Sequence, residues 1–146
     1  MMNEPIKSIM TANPVCLQVD SSLADVIQIF ANQRIHHLPV VDNKRLVGLI
    51  TTYDLWRQDA PLEQYATIAV SDVMTERVVK LSPDDKIGTA AELFLDKRIH
   101  ALPILDQGNL VGIVTSFDVL RYQFKKEYKS AILYKDVLEP RPRASA

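Results

Sequence analysis

Residues 34–51 read RIHHLPVVDNKRLVGLIT, and residues 98–115 read RIHALPILDQGNLVGIVT. The two stretches lie 64 positions apart, and an aspartate, Asp54 or Asp118, follows each of them at the same spacing. The match extends upstream, so that residues 9–56 and 73–120 share 17 identities in 48 positions without a gap. Such a match at a fixed period indicates a tandem repeat, which decides the fold.

Each copy of the repeat predicts the element order β-α-β-β-α. A short apolar run and a group of capping residues come before apolar positions with helical spacing, and two apolar runs then flank a polar turn. In the first copy the run, the caps and the turn are residues 15–17, 20–22 and 42–45, and in the second they are residues 78–81, 82–85 and 106–109. The helical faces are Leu23, Val26, Ile27 and Phe30, then Ile87, Ala90, Ala91 and Phe94. The sequence therefore predicts a mixed α/β (α+β) fold of two packed units.

The repeat also sets the expected domain organisation. We expect repeat 1 at residues 5–60, a linker at residues 61–70 and repeat 2 at residues 71–121. A basic extension, expected to be partly disordered, follows at residues 122–146. Neither copy is long enough to bury a large core alone, so the two are expected to share one.

Composition and charge exclude several classes of protein. Ten basic and 15 acidic residues give residues 1–120 a net charge of −5, and seven basic and three acidic residues give residues 121–146 a net charge of +4. The total of −1 argues against a strongly basic nucleic-acid coat. A single cysteine, Cys16, excludes an internal disulfide or a multi-cysteine metal site. Without a long apolar run or a signal-peptide pattern, the expected protein is soluble and cytoplasmic.

Several motifs occur twice in the same order: Met-Thr, a helix, Ile-His-x-Leu-Pro, and Leu-Val-Gly followed by Thr-x-x-Asp. This order resembles the cystathionine-β-synthase (CBS) domain, and two copies in tandem resemble a Bateman module. The resemblance covers about residues 5–121. It implies a pseudo-twofold arrangement with two clefts, a disc-like homodimer, and an adenosyl ligand such as AMP, ADP, ATP, S-adenosylmethionine or NAD. It also implies a regulatory, energy-sensing role without catalysis, required cofactor or metal.

The two Thr-x-x-Asp motifs are candidates for ribose and phosphate contacts. The carboxylates of Asp54 and Asp118 can accept hydrogen bonds from both ribose hydroxyls. Thr51 and Thr115, with free N–H groups at the helix start, can form a small phosphate cradle. The alternative is that each motif is only a helix N-cap with an acidic first turn.

The resemblance places a second group of residues near the mouth between the repeats, facing ligand phosphates. The group is Arg34, His36, His37, Arg98 and His100. An arginine pairs two phosphate oxygens at once, although both arginines can equally end the first helix of their repeat and complement its dipole. A metal site of three histidines is not expected, because adjacent residues of a strand point to opposite faces.

The resemblance also implies an apolar adenine slot, which ordinary core packing explains equally well for most positions. Its residues are Met10, Thr11, Asn13, Pro14 and Val15, then Met74, Thr75, Arg77, Val78 and Val79, with Leu38, Pro39, Leu102 and Pro103 opposite. Gly48 and Gly112 predict a close approach of the backbone. Because Ala101 replaces His37 and Val78 replaces Pro14 in the second copy, one or both clefts can be occupied.

The basic extension leaves several functions open. Aromatic residues alternate with basic ones at residues 121–129, Ile132, Leu133, Val137 and Leu138 add apolar anchors, and residues 140–146 are expected to be disordered. A solvated extension or a helix that docks on its own dimer is favoured over nucleic-acid binding. The alternatives to a nucleotide sensor are a protein-interaction adaptor with vestigial clefts and a nucleic-acid-associated regulator acting through the extension.

Overall fold

The computed structural model describes residues 2–129 and has a mixed α+β fold, as the repeat predicts. Repeat 1 contains β1 (Thr11–Ala12), β2 (Leu17–Gln18), α1 (Leu23–Asn32), β3 (His37–Asp42), β4 (Arg45–Thr51) and α2 (Thr52–Trp56). Repeat 2 contains α3 (Ile87–Lys97), β5 (Ala101–Asp106), β6 (Asn109–Thr115) and α4 (Ser116–Glu127). Short 3-10 helices lie at Ile6–Ser8, Leu62–Thr67 and Val70–Asp72.

The predicted hairpins and helical faces are confirmed. Strands β3 and β4 pair antiparallel around the turn that Asp42 and Arg45 close, and β5 and β6 pair in the same way. Ile87 and Ala90 on α3 are fully buried, as are Leu23 and Val26 on α1. The apolar spacing therefore identified the faces that each helix turns to the core.

Two local predictions at the start of repeat 2 are wrong. Residues 78–81 do not form a strand; only Leu81 makes an isolated parallel bridge, with Ile104. Residues 82–85 do not cap α3, whose N-cap is Lys86 without a side-chain hydrogen bond. The Asp85 carboxylate instead accepts a hydrogen bond from the Ser82 N–H at 2.7 Å, which closes a turn before the helix.

The Met-Thr segments at the start of the two repeats exchange places in the fold. Strand β1 pairs with β6, with Thr11 opposite Ile113, and Thr75 pairs with Leu49 of β4 through two hydrogen bonds. A single residue pair, Arg45 and Asn109, joins the two hairpins in one sheet. The hairpin of each repeat is therefore extended by the Met-Thr segment from the start of the other repeat.

The core follows the same exchange and forms two clusters, not the one shared core that was expected. The cluster of repeat 2 contains Ile6 together with Ile87, Leu102 and Val114. The cluster of repeat 1 is completed by two residues from the segment between the repeats, which are Tyr65 and Val70. The stretch expected to be a linker is thus partly core.

The basic extension begins as part of a helix. Because α4 continues to Glu127, residues 122–127 are helical. The remaining predictions for the extension, at Ile132, Leu133, Val137, Leu138 and residues 140–146, lie outside the described residues.

Candidate functional site

Both Thr-x-x-Asp motifs form a complete capping box at the start of a helix. The Asp54 carboxylate accepts hydrogen bonds through Oδ2 from the Thr51 N–H at 2.8 Å and from the Thr51 hydroxyl at 3.1 Å. The Asp118 carboxylate makes the same two contacts with Thr115, at 2.8 and 3.0 Å. In each box the threonine Oγ1 accepts a hydrogen bond from the aspartate N–H at 3.2 Å. The structural role considered in the sequence analysis is therefore real for both motifs.

The capping boxes leave one carboxylate oxygen of each aspartate outside them. Only Oδ2 takes part, so Oδ1 can still accept hydrogen bonds from a ligand. The Asp118 side chain is 14% exposed, and its Oδ1 lies 3.7 Å from Nη2 of Arg121. Each motif can thus cap its helix and bind a hydroxyl group at the same time.

The expected phosphate cradle at the helix starts is largely occupied by the protein itself. The N–H of Thr52 donates to the His36 carbonyl at 3.1 Å, and the N–H of Ser116 donates to the His100 carbonyl at 3.1 Å. The Thr51 hydroxyl already donates to Asp54. The expectation of free N–H groups there is wrong at these positions, because the chain folds back onto its own helix starts. Arginine, lysine and histidine side chains are therefore the stronger candidates for binding a phosphate.

The structure brings histidines from both repeats together. His37 lies opposite Thr51 in the β3–β4 hairpin, next to the first capping box. Its ring centroid is 6.3 Å from that of His100, with the ring planes tilted by 53°. His36 and His100 are exposed, whereas His37 is half-buried. The junction between the repeats is therefore lined by imidazoles.

Burial and neighbouring charge both lower the pKa of His37. Burial is the larger cause, because it penalises the charged imidazolium, and the nearby His100 and His36 act in the same direction. Asp54 opposes them by attracting the proton. His37 therefore favours its neutral form more strongly than a free histidine does.

The two arginines of the repeated motif lie near the ends of their helices and are exposed. Arg98 is the C-cap of α3, with φ of 53°, and Arg34 follows two residues after the end of α1. The position of Arg98 agrees with the helix-end role, and its exposure also leaves the guanidinium accessible to an anion.

The residues predicted for the adenine slot fall into separate environments. Leu38 and Leu102 are fully buried and belong to the two core clusters. Met10 and Met74 pack across the junction between the repeats, where a Cβ on Gly112 or Gly48 would lie 2.4 or 2.5 Å from the methionine Sδ. The close approach predicted for both glycines is thus confirmed. Pro39 and Pro103 are buried within β3 and β5, and Thr11 and Thr75 are exposed on the sheet edges that they extend.

The segment that follows each Met-Thr pair lies away from the capping boxes. The Asn13 N–H donates to the Val111 carbonyl at 3.3 Å, four residues before Thr115, or about 13 Å along β6. Asn13 and Pro14 line a cavity of about 190 Å³ beside the hairpin turns. Exposed or half-buried positions make up the rest of the set, which is Val15, Arg77, Val78 and Val79. The structure does not bring Asn13 and Pro14 together with Asp118.

A larger cavity of about 360 Å³ lies beside Asp118, and most of its residues were not predicted. Arg121, Tyr122, Lys125 and Lys126 line it from α4, and Ser8 and Ile9 line it from the N-terminal segment. Glu4 also reaches α4, where it accepts hydrogen bonds from Lys126 at 2.7 Å and from the Tyr122 hydroxyl. These contacts lower the pKa of Glu4 to about 2. The spacing of residues 118, 121, 122 and 125 on one helical face was the sequence signal for this site.

Metal and membrane sites are not found in the part of the chain that is described. Within residues 2–129, His, Cys, Asp and Glu side chains do not gather in groups of three or more that could hold a metal ion. None of the helices in the same range has the length and apolar character needed to cross a membrane.

Comparison with known proteins gives consistent matches. The family model described as the CBS domain matches residues 6–55 and 70–125. The crystal structure of CBSX2 in complex with AMP is 26% identical, with a TM-score of 0.77 over 86% of this chain and 99% of that one. The CBS domain pair of protein MJ0100, in complex with 5′-methylthioadenosine and S-adenosyl-L-methionine, is 27% identical, with a TM-score of 0.72 over 84% of this chain and 97% of that one.

Curated relatives are longer than this chain. Protein MJ1404 of Methanocaldococcus jannaschii is 31% identical over 129 residues, which are 87% of this chain and 30% of that protein. The chain spans 43% and 46% of the length of two other relatives from the same organism. What these longer proteins do as a whole does not transfer directly to the present chain.

Proposed function

Because the chain belongs to the CBS domain family and carries two CBS domains in tandem, we propose that it is a non-catalytic regulatory module that binds an adenosyl nucleotide. AMP and ATP are the favoured ligands, with ADP, S-adenosylmethionine and NAD in the same class. The observation that carries the proposal is the pair of matched aspartates whose Oδ1 atoms stay outside the capping boxes. Solved relatives in complex with AMP and with S-adenosyl-L-methionine support it.

The chemistry of the ligand follows from the carboxylates. A ribose presents two adjacent hydroxyl donors, and a carboxylate accepts from such donors in charge-assisted hydrogen bonds. Asp54 and Asp118 are the proposed ribose-binding residues of the two repeats. Arg34, Arg98 and the three histidines are the proposed contacts at the junction for the phosphate attached to the ribose, since the N–H groups of Thr52 and Ser116 already have carbonyl partners. The predicted apolar set remains the proposed surroundings of the adenine, except for Leu38 and Leu102, which are fully buried in the core clusters. Asn13 and Pro14 are also excluded for a nucleotide held by Asp118, because they lie away from it.

The proposed response to the ligand depends on the exchange of segments between the repeats. A nucleotide held beside Asp118 would contact α4 of repeat 2 and the first residues of repeat 1, since both border the same cavity. Binding can then change the orientation of one repeat relative to the other, but only by as much as the ligand prefers one orientation. The module would act in the cytoplasm on a partner protein or domain.

A homodimer is the proposed assembly, formed through the exposed faces of α2 and α4. Tyr53 and Trp56 are 60% and 79% exposed and stack with ring centroids 6.0 Å apart. At the matched positions of α4, Phe117 and Leu120 are 62% and 67% exposed. Each repeat thus contributes one apolar helical face, and a second copy offers the same pair of faces for an isologous contact.

Nucleotide binding by variants with asparagine in place of Asp54 or Asp118 tests the ribose assignment. Thermal unfolding with adenosine, AMP, ATP and S-adenosylmethionine should show stabilisation by at least one of them, about 2.7 kcal/mol at 100 times its dissociation constant. D54N or D118N should weaken binding roughly 10- to 100-fold, because a charge-assisted hydrogen bond is lost while the amide oxygen still caps the helix. Unchanged affinity in both variants would remove the ribose assignment.

Asp25 provides the matched control. It forms the same capping box with Ser22 at the start of α1, with the Ser22 N–H donating to its Oδ2 at 2.9 Å. D25N should therefore reproduce any effect of the substitution on capping and leave nucleotide affinity unchanged.

The apolar helical faces also favour the second candidate function, a protein-interaction adaptor with vestigial clefts. Sedimentation of the wild type and of W56D tests whether these apolar faces form the homodimer or remain available to another protein. A wild-type dimer that W56D converts to a monomer supports the homodimer. A wild-type monomer that no adenosyl compound stabilises contradicts both the homodimer and the sensor and favours the adaptor.

A further inference from the structure

Helix α4 extends well beyond the length of its counterpart in repeat 1. It runs for 12 residues, Ser116–Glu127, whereas α2 has five, Thr52–Trp56. The additional turns continue the face of Asp118 with Arg121 and Lys125, which border the cavity of about 360 Å³. This extension creates a surface in repeat 2 that the repeated sequence pattern does not contain.

The charge of this surface differs from that of the matched positions in repeat 1. The cavity lining has a net charge of +2, from Arg121, Lys125 and Lys126 against Asp118. Glu4, which accepts a hydrogen bond from Lys126, reduces the net charge to +1. At the matched positions of repeat 1 there is one cation and there are two carboxylates, a net charge of −1. The matched residues are Arg57, Pro61, Leu62, Asp54 and Asp72 (the last in place of Ser8). The lining beside Asp118 therefore carries more positive charge than the matched positions in repeat 1.

The cations of α4 are placed at increasing distance from Asp118. The Arg121 guanidinium carbon lies 4.9 Å from the centre of the Phe117 ring, and its Nη2 lies 3.7 Å from the Asp118 carboxylate. Lys125 follows Asp118 by seven residues, two helical turns or about 10 Å along the same face. A ligand anchored at Asp118 reaches Lys125 only through an extended anionic group.

We propose that the cavity beside Asp118 binds a chain of two or three linked phosphates. If the ribose lies on Asp118, as the proposed function requires, repeat 2 selects a nucleoside di- or triphosphate over the monophosphate. Repeat 1, with a negative charge at the matched positions, does not make this selection. The two clefts then differ in ligand because their helices differ in length and charge.

Calorimetric titration of the full chain with adenosine, AMP, ATP and inorganic tripolyphosphate, at constant ionic strength, tests this inference. ATP should bind more tightly than AMP to the Asp118 site. K125Q should lower the affinity for ATP and for tripolyphosphate about tenfold, because it removes a charge-assisted contact. It should leave the affinity for adenosine unchanged. K129Q is the matched control, because Lys129 is an exposed cation just beyond α4 that does not line the cavity.

The outcomes separate this inference from the proposed function. Equal affinity for adenosine, AMP and ATP, reduced by D118N but not by K125Q, would overturn the phosphate site and leave the ribose assignment intact. Tripolyphosphate binding that K125Q abolishes, without binding of adenosine compounds, would support the phosphate site and contradict the nucleotide sensor. A larger loss of ATP affinity in R98Q than in K125Q would put the phosphates at the junction of the repeats and overturn the inference. Binding of none of the four compounds would overturn both proposals.

Discussion

Gly48 and Gly112 show how a single residue controls the junction of the repeats. A Cβ on Gly48 would lie 2.5 Å from the Met74 Sδ and 3.1 Å from the Thr75 carbonyl oxygen, and Gly112 faces Met10 and Thr11 in the same way. We expect G48A and G112A each to lower the free energy of unfolding by about 1–3 kcal/mol, as overpacking does. Denaturant unfolding of the two variants measures this.

Gly88 is the control for an alanine in place of a glycine. It lies within α3, where a Cβ would meet only the Met2 carbonyl oxygen at 3.2 Å and the Met2 Cβ at 3.5 Å. The Gly88 N–H donates to this carbonyl at 2.8 Å, so Met2 must yield by a few tenths of an ångström. Alanine offsets this, because it favours a helix over glycine by up to about 1 kcal/mol. G88A should therefore be neutral or stabilising. Equal destabilisation by G88A and G48A would contradict the role given to the methionine contacts.

His37 predicts a pH dependence of stability. Its pKa in the folded protein is below the usual 6.5, so the unfolded chain binds the proton more readily. Its contribution to stability is complete above about pH 6.5 and is lost as the pH falls through the lowered folded pKa. H37A, which introduces the residue found at position 101, should reduce the loss of melting temperature between pH 7.5 and 5.5.

The neighbouring His36 serves as the control for this prediction. It is exposed, so H36A should keep most of the wild-type pH dependence. The same pH dependence in H37A as in the wild type would show that groups other than His37 cause it.

At the scale of elements, the capping boxes make each second helix depend on one threonine. Thr115 accepts a hydrogen bond from the Asp118 N–H and donates one to its carboxylate. We expect T115A to lower the free energy of unfolding by about 1 kcal/mol, and T115S to restore most of it because serine caps equally well. Chemical denaturation checks the pair, and equal instability of the two variants would contradict the capping explanation.

The sequence predicted most elements because their signals are local. Apolar spacing identified the buried faces of α1 and α3, and the polar turns identified both hairpins. The local sequence was misleading at two places. The strand predicted at residues 78–81 forms only one bridge, and the helix cap predicted at residues 82–85 is a turn. At residues 82–85 the Asp85 carboxylate accepts a hydrogen bond from the Ser82 N–H in a local turn instead of capping α3, and at residues 78–81 only Leu81 finds a partner strand.

At the scale of the whole molecule, the exchanged segments make each core dependent on residues far away in the sequence. Ile6 is fully buried among residues of repeat 2, and Val70, its counterpart 64 positions later, is buried in the core of repeat 1. I6A should lower the free energy of unfolding by about 2–5 kcal/mol, as the loss of a buried isoleucine side chain does.

The location of the effect distinguishes this prediction from a general loss of stability. Hydrogen exchange of I6A should increase in β5, β6 and α3 before it increases in β3 and α1, because Ile6 packs only in the cluster of repeat 2. Faster hydrogen exchange confined to repeat 1 would contradict the packing of Ile6 in the core cluster of repeat 2.

The sequence alone determined the tandem repeat, the element order and the matched Thr-x-x-Asp motifs, because period, apolar spacing and capping are local properties that a single chain displays. Only the tertiary structure decided which oxygen of each aspartate stays outside its capping box and which Met-Thr segment completes which sheet. It also decided that Arg121 and Lys125 meet Ser8 across a cavity. The physical reason is that these features depend on contacts between residues at least 26 positions apart, or on the direction of a side chain, and neither leaves a periodic signal in the sequence.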